Sequence, residues 1–175
     1  MSAGERLAAA TAVGLAAAAD VRPAEEFEAA VRPHYADLVR RLVLVLHSRD
    51  DAEDVAQEAY LRAFRTWEQF DGRDVRAWLY TIGLRLAFNE LRRHRRRLAA
   101  MGRLRPVPWT GPADPDLSAA LGRLDGRTRA ALLLTAVDGY SVREVATILG
   151  SPEGTVASWL SRGRARLRAE LDRPR

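Results

Sequence analysis

The sequence predicts an all-α protein made of two small helical domains. Three observations carry that expectation: apolar residues recur three and four apart along most of the chain, strand-like alternation is scarce, and a stretch dense in proline and glycine separates two helical segments. With 175 residues and 47% hydrophobic content, the chain has material for one domain or two, so length alone does not decide.

Residues 1–23 read as an alanine-rich extension. "RLAAATAVGLAAAAD" has the outline of a secretory signal, but alanine is weakly hydrophobic and Glu5 interrupts the basic region. A loosely ordered, transiently helical segment is the better expectation. No other run approaches the ~18 apolar residues of a membrane span, and a cytoplasmic protein is expected. The helical period then appears at Phe27, Val31, Leu38, Leu42 and Val45. Ser48 and Asp51, a capping-box-like pair, announce a second helix. Its apolar face is Ala52, Val55, Ala56, Ala59, Tyr60, Ala63 and Phe64, and its opposite face carries Asp51, Asp54, Glu58, Arg62 and Arg65. The acids sit in the N-terminal half, where the helix macrodipole favours them.

"TWEQFDGRD" breaks the period at Gly72 and predicts a loop, then a helix from about Val75 through Arg97 with Trp78, Ile82, Leu86 and Asn89 in one stripe. Between Leu98 and Ser118, Pro106, Pro108, Pro112 and Pro115 with Gly102 and Gly111 exclude helix and central strand, so residues 98–116 are assigned to a linker. The flanking domains are then 24–97 and 117–175. Helical spacing resumes at Leu117 and runs through Leu121, Leu124, Ala131, Leu132, Leu134 and Thr135 to about Gly139. Ser141 and Glu144 form an S-x-x-E box opening a short helix that Gly150 ends. Ser151 as N-cap and Pro152 in the first turn open a last helix to about Leu171.

Charge narrows the partners. The formal net charge is +5 and every basic residue is arginine, which suits partners rich in phosphate or carboxylate. Eight arginines against Glu90 give residues 85–105 a net of +7, and six against Glu170 and Asp172 give residues 159–175 a net of +4. Residues 50–58, by contrast, hold five acids and no base. The absence of cysteine removes a disulfide frame, a thiolate nucleophile and cysteine-ligated zinc.

The last two helices carry the sharpest local signal. Ala146, Gly150 and Val156 supply a small residue where helices touch, a glycine for a left-handed turn and an apolar pin for the second helix, as a helix-turn-helix requires. In that geometry Glu153, Thr155, Ala157, Ser158 and Arg162 face a major groove, and Arg164, Arg166 and Arg168 are available to phosphates. An ordinary helical hairpin with a solvated arginine face is the plainer alternative, which the turn chemistry and basic tail together outweigh. "NELRRHRRR" is less specific, but Trp67, Phe70, Trp78, Tyr80 and Phe88 flank it, and arginines with stackable rings suit unpaired bases. Trp78 and Phe88 are the better candidates for core. The acidic cluster lacks histidine and calcium-loop spacing, so a solvated or docking face is expected there. His34, His47 and His94 have no partner pattern. No phosphate loop, dinucleotide fingerprint or nucleophile elbow is present, so no catalytic residue, metal or cofactor is assigned and an enzyme is not expected.

Taken together these motifs resemble an extracytoplasmic-function (ECF, group 4) sigma factor of bacterial RNA polymerase, of the sigma-70 family, over about Phe27 to Leu171. "DDAEDVAQEAYLRAF" is similar to the polymerase-binding segment of region 2, "VRAWLYTIGLRLAFNELRRHRRR" to the promoter-melting segment, and "LDGRTRAALLLTAVDGYSVREVATILGSPEGTVASWLSRGRARLRAEL" to region 4. The resemblance implies that Asp51, Asp54, Gln57 and Glu58 dock on the clamp coiled coil of the largest polymerase subunit. It implies minus-10 contacts from Trp67, Phe70, Arg73, Arg85, Asn89, Arg92 and Arg93. For the minus-35 element it implies Pro152, Glu153, Thr155, Ala157, Ser158, Trp159, Arg162, Arg164 and Arg166. The implied partners are core polymerase at its clamp and flap, promoter DNA and an anti-sigma factor.

Four positions depart from the family pattern. Arg85 and Asn89 replace the usual asparagine and aspartate, and Ala157 and Trp159 replace the usual lysine and arginine. Partial packing of Trp159 against the preceding helix is favoured over a ring laid on a sugar or thymine methyl. The departures keep two other readings open: a sigma-like protein that binds polymerase or an anti-sigma factor without initiating, and a stand-alone helix-turn-helix regulator.

Overall fold

The computed structural model describes residues 3–100 and 115–172, with side chains for 24–100 and 116–172. Among these, α1 spans Ala3–Leu46, α2 Arg49–Arg65 and α3 Val75–Ala100, with a 3-10 turn at Trp67–Gln69 leading out of α2. The second half holds α4 over Pro115–Gly122, α5 over Gly126–Ala136, α6 over Val142–Leu149 and α7 over Glu153–Leu171.

Helices α1 to α3 form the N-terminal bundle. Phe27, Val31, Leu38, Leu42 and Val45 are all buried and meet a stripe of fully buried alanines on α2, Ala52, Ala56, Ala59 and Ala63. The small side chains let α2 lie close against α1, while Leu79, Tyr80, Leu84 and Ala87 of α3 close the third side. Burying each large apolar side chain is worth about 1.5–3 kcal/mol. Ser48 caps α2 by accepting from the Asp51 amide at 3.2 Å.

Helices α4 to α7 form the C-terminal bundle. The Ser141–Glu144 capping box is complete, with the Glu144 amide donating to Ser141 Oγ and the Ser141 amide to Glu144 Oε2. Gly150 takes the left-handed conformation at φ 58°, which turns the chain from α6 into α7. Val145, Ala146, Ile148, Leu149, Val156 and Leu160 are buried between the two helices. Helix α7 crosses α5 at Gly163, where a β-carbon would come within 2.7 Å of Thr128 Cγ2 and 2.8 Å of Leu132 Cδ1. The two bundles then pack together, α5 and α6 lying against α1 and α3.

Several expectations are corrected. The alanine-rich extension continues α1 from Ala3 rather than standing apart, because alanine is the strongest helix former and extending a helix is far easier than nucleating one. Phe64 is 47% exposed, since Ala63 takes the inward position on α2 and the next residue rotates out. Leu98 to Ala100 prolong α3, and α4 starts at Pro115, a residue tolerated in a first turn; the rest of the assigned linker, 101–114, lies outside the described residues. The period read as continuous from Leu117 to Gly139 is two helices, because the Asp125 carboxylate accepts from the Arg127 and Thr128 amides and starts α5 afresh. Helix α7 starts one residue late, with Pro152 rather than Ser151 at the cap. The Ser151 hydroxyl instead donates to the Leu149 carbonyl and accepts from Arg127.

Candidate nucleic-acid interface

The capped turn at Gly150 fixes where α7 begins and which of its sides is free. Pro152, Glu153, Ala157, Ser158, Arg162, Arg164 and Arg166 are exposed along it, and Thr155 is half-buried. Trp159 is also half-buried and packs against the bundle core, with the Arg127 guanidinium 5.9 Å from its ring centre.

A second basic surface lies on α3. Arg85, Arg92 and Arg93 are exposed and Asn89 is half-buried; Arg92 donates to the Asn89 side chain, and Arg93 pairs with Glu90 at 3.0 Å. Before α3, Trp67 and Phe70 stack with centroids 5.2 Å apart and planes 16° from parallel, and Trp78 sits 6.0 Å and 5.0 Å from them. Trp67 also meets Phe27 edge-on at 5.4 Å, so this aromatic group is anchored to the core on one side and half-open on the other. Arg73 beside it is exposed. Trp78 and Phe88, expected in the core, are each only half-buried, and Arg127 covers the Phe88 ring at 5.2 Å.

The acidic surface is on α2. Asp51, Asp54 and Gln57 are exposed, and Glu58 accepts from Arg62 Nε at 2.6 Å. Leu61 and Phe64, 41% and 47% exposed, add an apolar edge that the sequence reading missed. The signal was available, since a leucine stood on an otherwise polar face. Among the described residues no group of three or more histidine, aspartate or glutamate side chains is placed to hold a metal ion.

The α3 surface also meets the C-terminal bundle. Arg85, Phe88, Asn89 and Arg92 of α3 share a cleft of about 180 Å³ with Arg127, Ile148, Leu149 and Gly150. Sequence reasoning did not foresee what holds this junction. The Asp138 side chain, just after α5, is completely buried between Arg41 of α1, at 2.7 Å and 3.0 Å, and Arg76 of α3. Arg129 of α5 is also buried and donates to the carbonyls of Leu121 at 2.8 Å, Leu124 at 2.7 Å and Val45 at 2.5 Å, the last in the final turn of α1. Burial pushes its guanidinium down to about 10, which leaves it charged at neutral pH. Nearby, burial pushes His47 down to about 4, with the Arg129 charge adding to the effect.

Comparison with known proteins decides the family. The sigma-70 region 2 model matches residues 30–97 and the sigma-70 region 4 model matches residues 116–167. The ECF RNA polymerase sigma factor SigM of Mycobacterium tuberculosis is 34% identical over 146 residues, covering 81% of this chain and 74% of that protein. The chain belongs to the ECF sigma factors of the sigma-70 family. Its N-terminal bundle contains the region 2 match and its C-terminal bundle the region 4 match. The ECF sigma factor SigE of Mycolicibacterium smegmatis is 36% identical over 154 residues, but this chain, matched over 81% of its own length, spans only 60% of SigE. Among solved structures, the sigma factor RpoE of Bartonella quintana, crystallised with the anti-sigma factor NepR, superposes with a TM-score of 0.72 at 25% identity. That match covers 86% of this chain and 99% of RpoE, so regions 2 and 4 enter it together. No described helix of this sigma factor is long and apolar enough to cross a membrane.

Proposed function

We propose that the chain is a promoter-specificity subunit that binds core RNA polymerase, reads two promoter elements and helps open the DNA in the cytoplasm, without an enzymatic activity of its own. The observation that carries this is the presence of two basic surfaces of different chemistry on one chain. The face of α7 is a convex helix with arginines, suited to the major groove of a duplex at minus 35. Arg162, Arg164 and Arg166 hold phosphates there, and Pro152, Glu153, Thr155, Ala157, Ser158 and Trp159 line the approach to base edges. The α3 face joins arginines to half-open rings, suited to unpaired bases at minus 10. Trp67, Phe70 and Arg73 flank the captured base, while Arg85, Asn89, Arg92 and Arg93 follow the opened strand. The acidic face, Asp51, Asp54, Gln57 and Glu58, is the contact for a basic stretch of the polymerase clamp, and region 4 extends to the flap. An anti-sigma factor is the proposed negative partner, supported by the capture of RpoE with one.

The test is initiation from a randomised promoter library by the purified protein with sigma-free core polymerase. Starts that share two spaced upstream elements are the expected result. Polymerase binding without starts, or no polymerase binding at all, would overturn this reading.

A further inference from the structure

The arginines around α5 are held in unlike ways. Arg129 is buried against backbone carbonyls, and Arg123 pairs with Glu170. Arg127 is exposed, and no carboxylate pairs with its guanidinium among the described residues. Its root is fixed, because its amide donates to Asp125 Oδ1 at 3.1 Å in the first turn of α5. The Asp125 carboxylate is itself engaged in capping, accepting also from the Thr128 amide and hydroxyl. The Arg127 guanidinium is bordered by two rings, Phe88 at 5.2 Å and Trp159 at 5.9 Å, and donates one hydrogen bond, at 3.3 Å, to Ser151 Oγ. Rings and a hydroxyl hold a cation in place without cancelling its charge. Most of its donors stay open to a ligand.

The place of this cation matters as much as its freedom. Ser151 immediately precedes Pro152, so the guanidinium lies at the entry end of α7, the end that a helix-turn-helix directs at base edges. There α7 brings no cation of its own. Residues 153–161 hold no base and one acid, Glu153, and the first arginine of the helix, Arg162, stands about 14 Å further along its axis. A phosphate beside the entry end therefore finds its cation on α5 and not on α7.

We propose that Arg127, from outside the recognition helix, is a phosphate contact of the minus-35 duplex and fixes the entry end of α7 in the groove. This rests on the duplex-reading role given to α7 above. The planar fork of a guanidinium matches phosphate, and a side chain already ordered by two rings and a hydroxyl loses little freedom on binding. Arg162, Arg164 and Arg166 then hold the backbone further along the same helix.

Two variants of the full chain test the contact. Arg127→Gln removes the charge and keeps a hydrogen-bonding side chain, whereas Arg127→Lys keeps the charge without the fork. On a duplex of random sequence, the fall of log affinity with log salt should be shallower by about 0.9 in Arg127→Gln and return to the original slope in Arg127→Lys. Between about 50 and 200 mM salt the unaltered protein should thus lose about 3.5-fold more affinity than Arg127→Gln. Salt dependence on a single-stranded oligonucleotide should not change. Retained helical circular dichroism separates a lost contact from unfolding. An unchanged duplex slope in Arg127→Gln would overturn the proposal, and so would a change confined to the single strand.

Uncharged methylphosphonates, placed one at a time in a promoter recovered from the library, locate the phosphate with core polymerase present. One position should weaken binding of the unaltered protein and cost nothing further in Arg127→Gln. Equal costs at every position in both proteins would also overturn the contact. A library without starts, combined with the shallower duplex slope in Arg127→Gln, removes the promoter function and leaves Arg127 as a duplex contact.

Discussion

The outer face of α7 and the outer face of α3 are both arginine-rich, yet they differ in what the fold does with them. The α7 face is fixed by a capping box and a left-handed glycine, and its arginines stand in solvent. The α3 face is joined to a half-buried aromatic group and shares a cleft at one place with the turn that fixes α7. One surface presents a single convex helix suited to a rigid duplex, whereas the other sets half-open rings beside its arginines, as unpaired bases require.

The comparison breaks most completely if the C-terminal bundle is unfolded. Leu160 is 3% exposed between α6 and α7, and Leu160→Ala should cost about 2–5 kcal/mol. Duplex binding should be lost while binding of a single-stranded oligonucleotide to α3 persists, because α3 packs in the N-terminal bundle. Calorimetry with both binding assays checks this; a parallel loss of the two activities would mean that the surfaces are not independent.

A smaller effect is expected at the α5–α7 crossing. Alanine at Gly163 gains about 1 kcal/mol of helix propensity, but overpacking against Thr128 and Leu132 costs about 1–3 kcal/mol. Thr128 cannot easily turn aside, since its hydroxyl donates to Asp125 at 2.5 Å. Gly163→Ala should therefore lower the melting temperature of region 4 modestly and shift α7 relative to α5. A melting temperature at or above the starting value would show that Thr128 yields.

The asymmetry between the two faces also explains what the sequence made legible. The capping box at Ser141, the turn at Gly150 and the α2 alanine stripe are local patterns, and each appears where the spacing put it. The break at Asp125 was masked because the apolar period runs through it, although an aspartate followed by glycine is an N-cap signal. Asp138, Arg41, Arg76 and Arg129 carried no such signal. In the sequence they are single charges among many, and only tertiary packing brings residues 97 apart into contact. Their burial depends on how two bundles meet, which no periodicity encodes.

The junction should also sense acid. His47 is neutral in the folded protein, held down to about 4 by burial beside Arg129. An unfolded histidine takes up its proton near 6.5. Between those values the unfolded chain binds the extra proton, so this contribution is intact above about 6.5 and is lost as pH falls toward 4. His47 also sits at φ 58°, a left-handed conformation that asparagine tolerates. His47→Asn should thus keep the turn and flatten the fall of melting temperature between pH 7 and pH 4.5. An equally steep fall in the variant would assign the acid sensitivity elsewhere.

The smallest expected effect sharpens the comparison at its duplex-facing side. Trp159 stands where the family pattern has arginine, and its packing holds the ring half out of solvent beside Arg127. Trp159→Arg exchanges that packing for a cation which Arg127 repels away from the bundle and toward bound phosphate. Nonspecific duplex binding should strengthen, and the slope of log affinity against log salt should steepen by about 0.9, the value of one further neutralised phosphate. Single-strand binding at α3 should not change, because position 159 does not line the α3 cleft. A salt titration of both activities tests this directly. If the duplex slope stays fixed, the arginine folds back into the space the ring left, and the α7 face is set by packing rather than by charge.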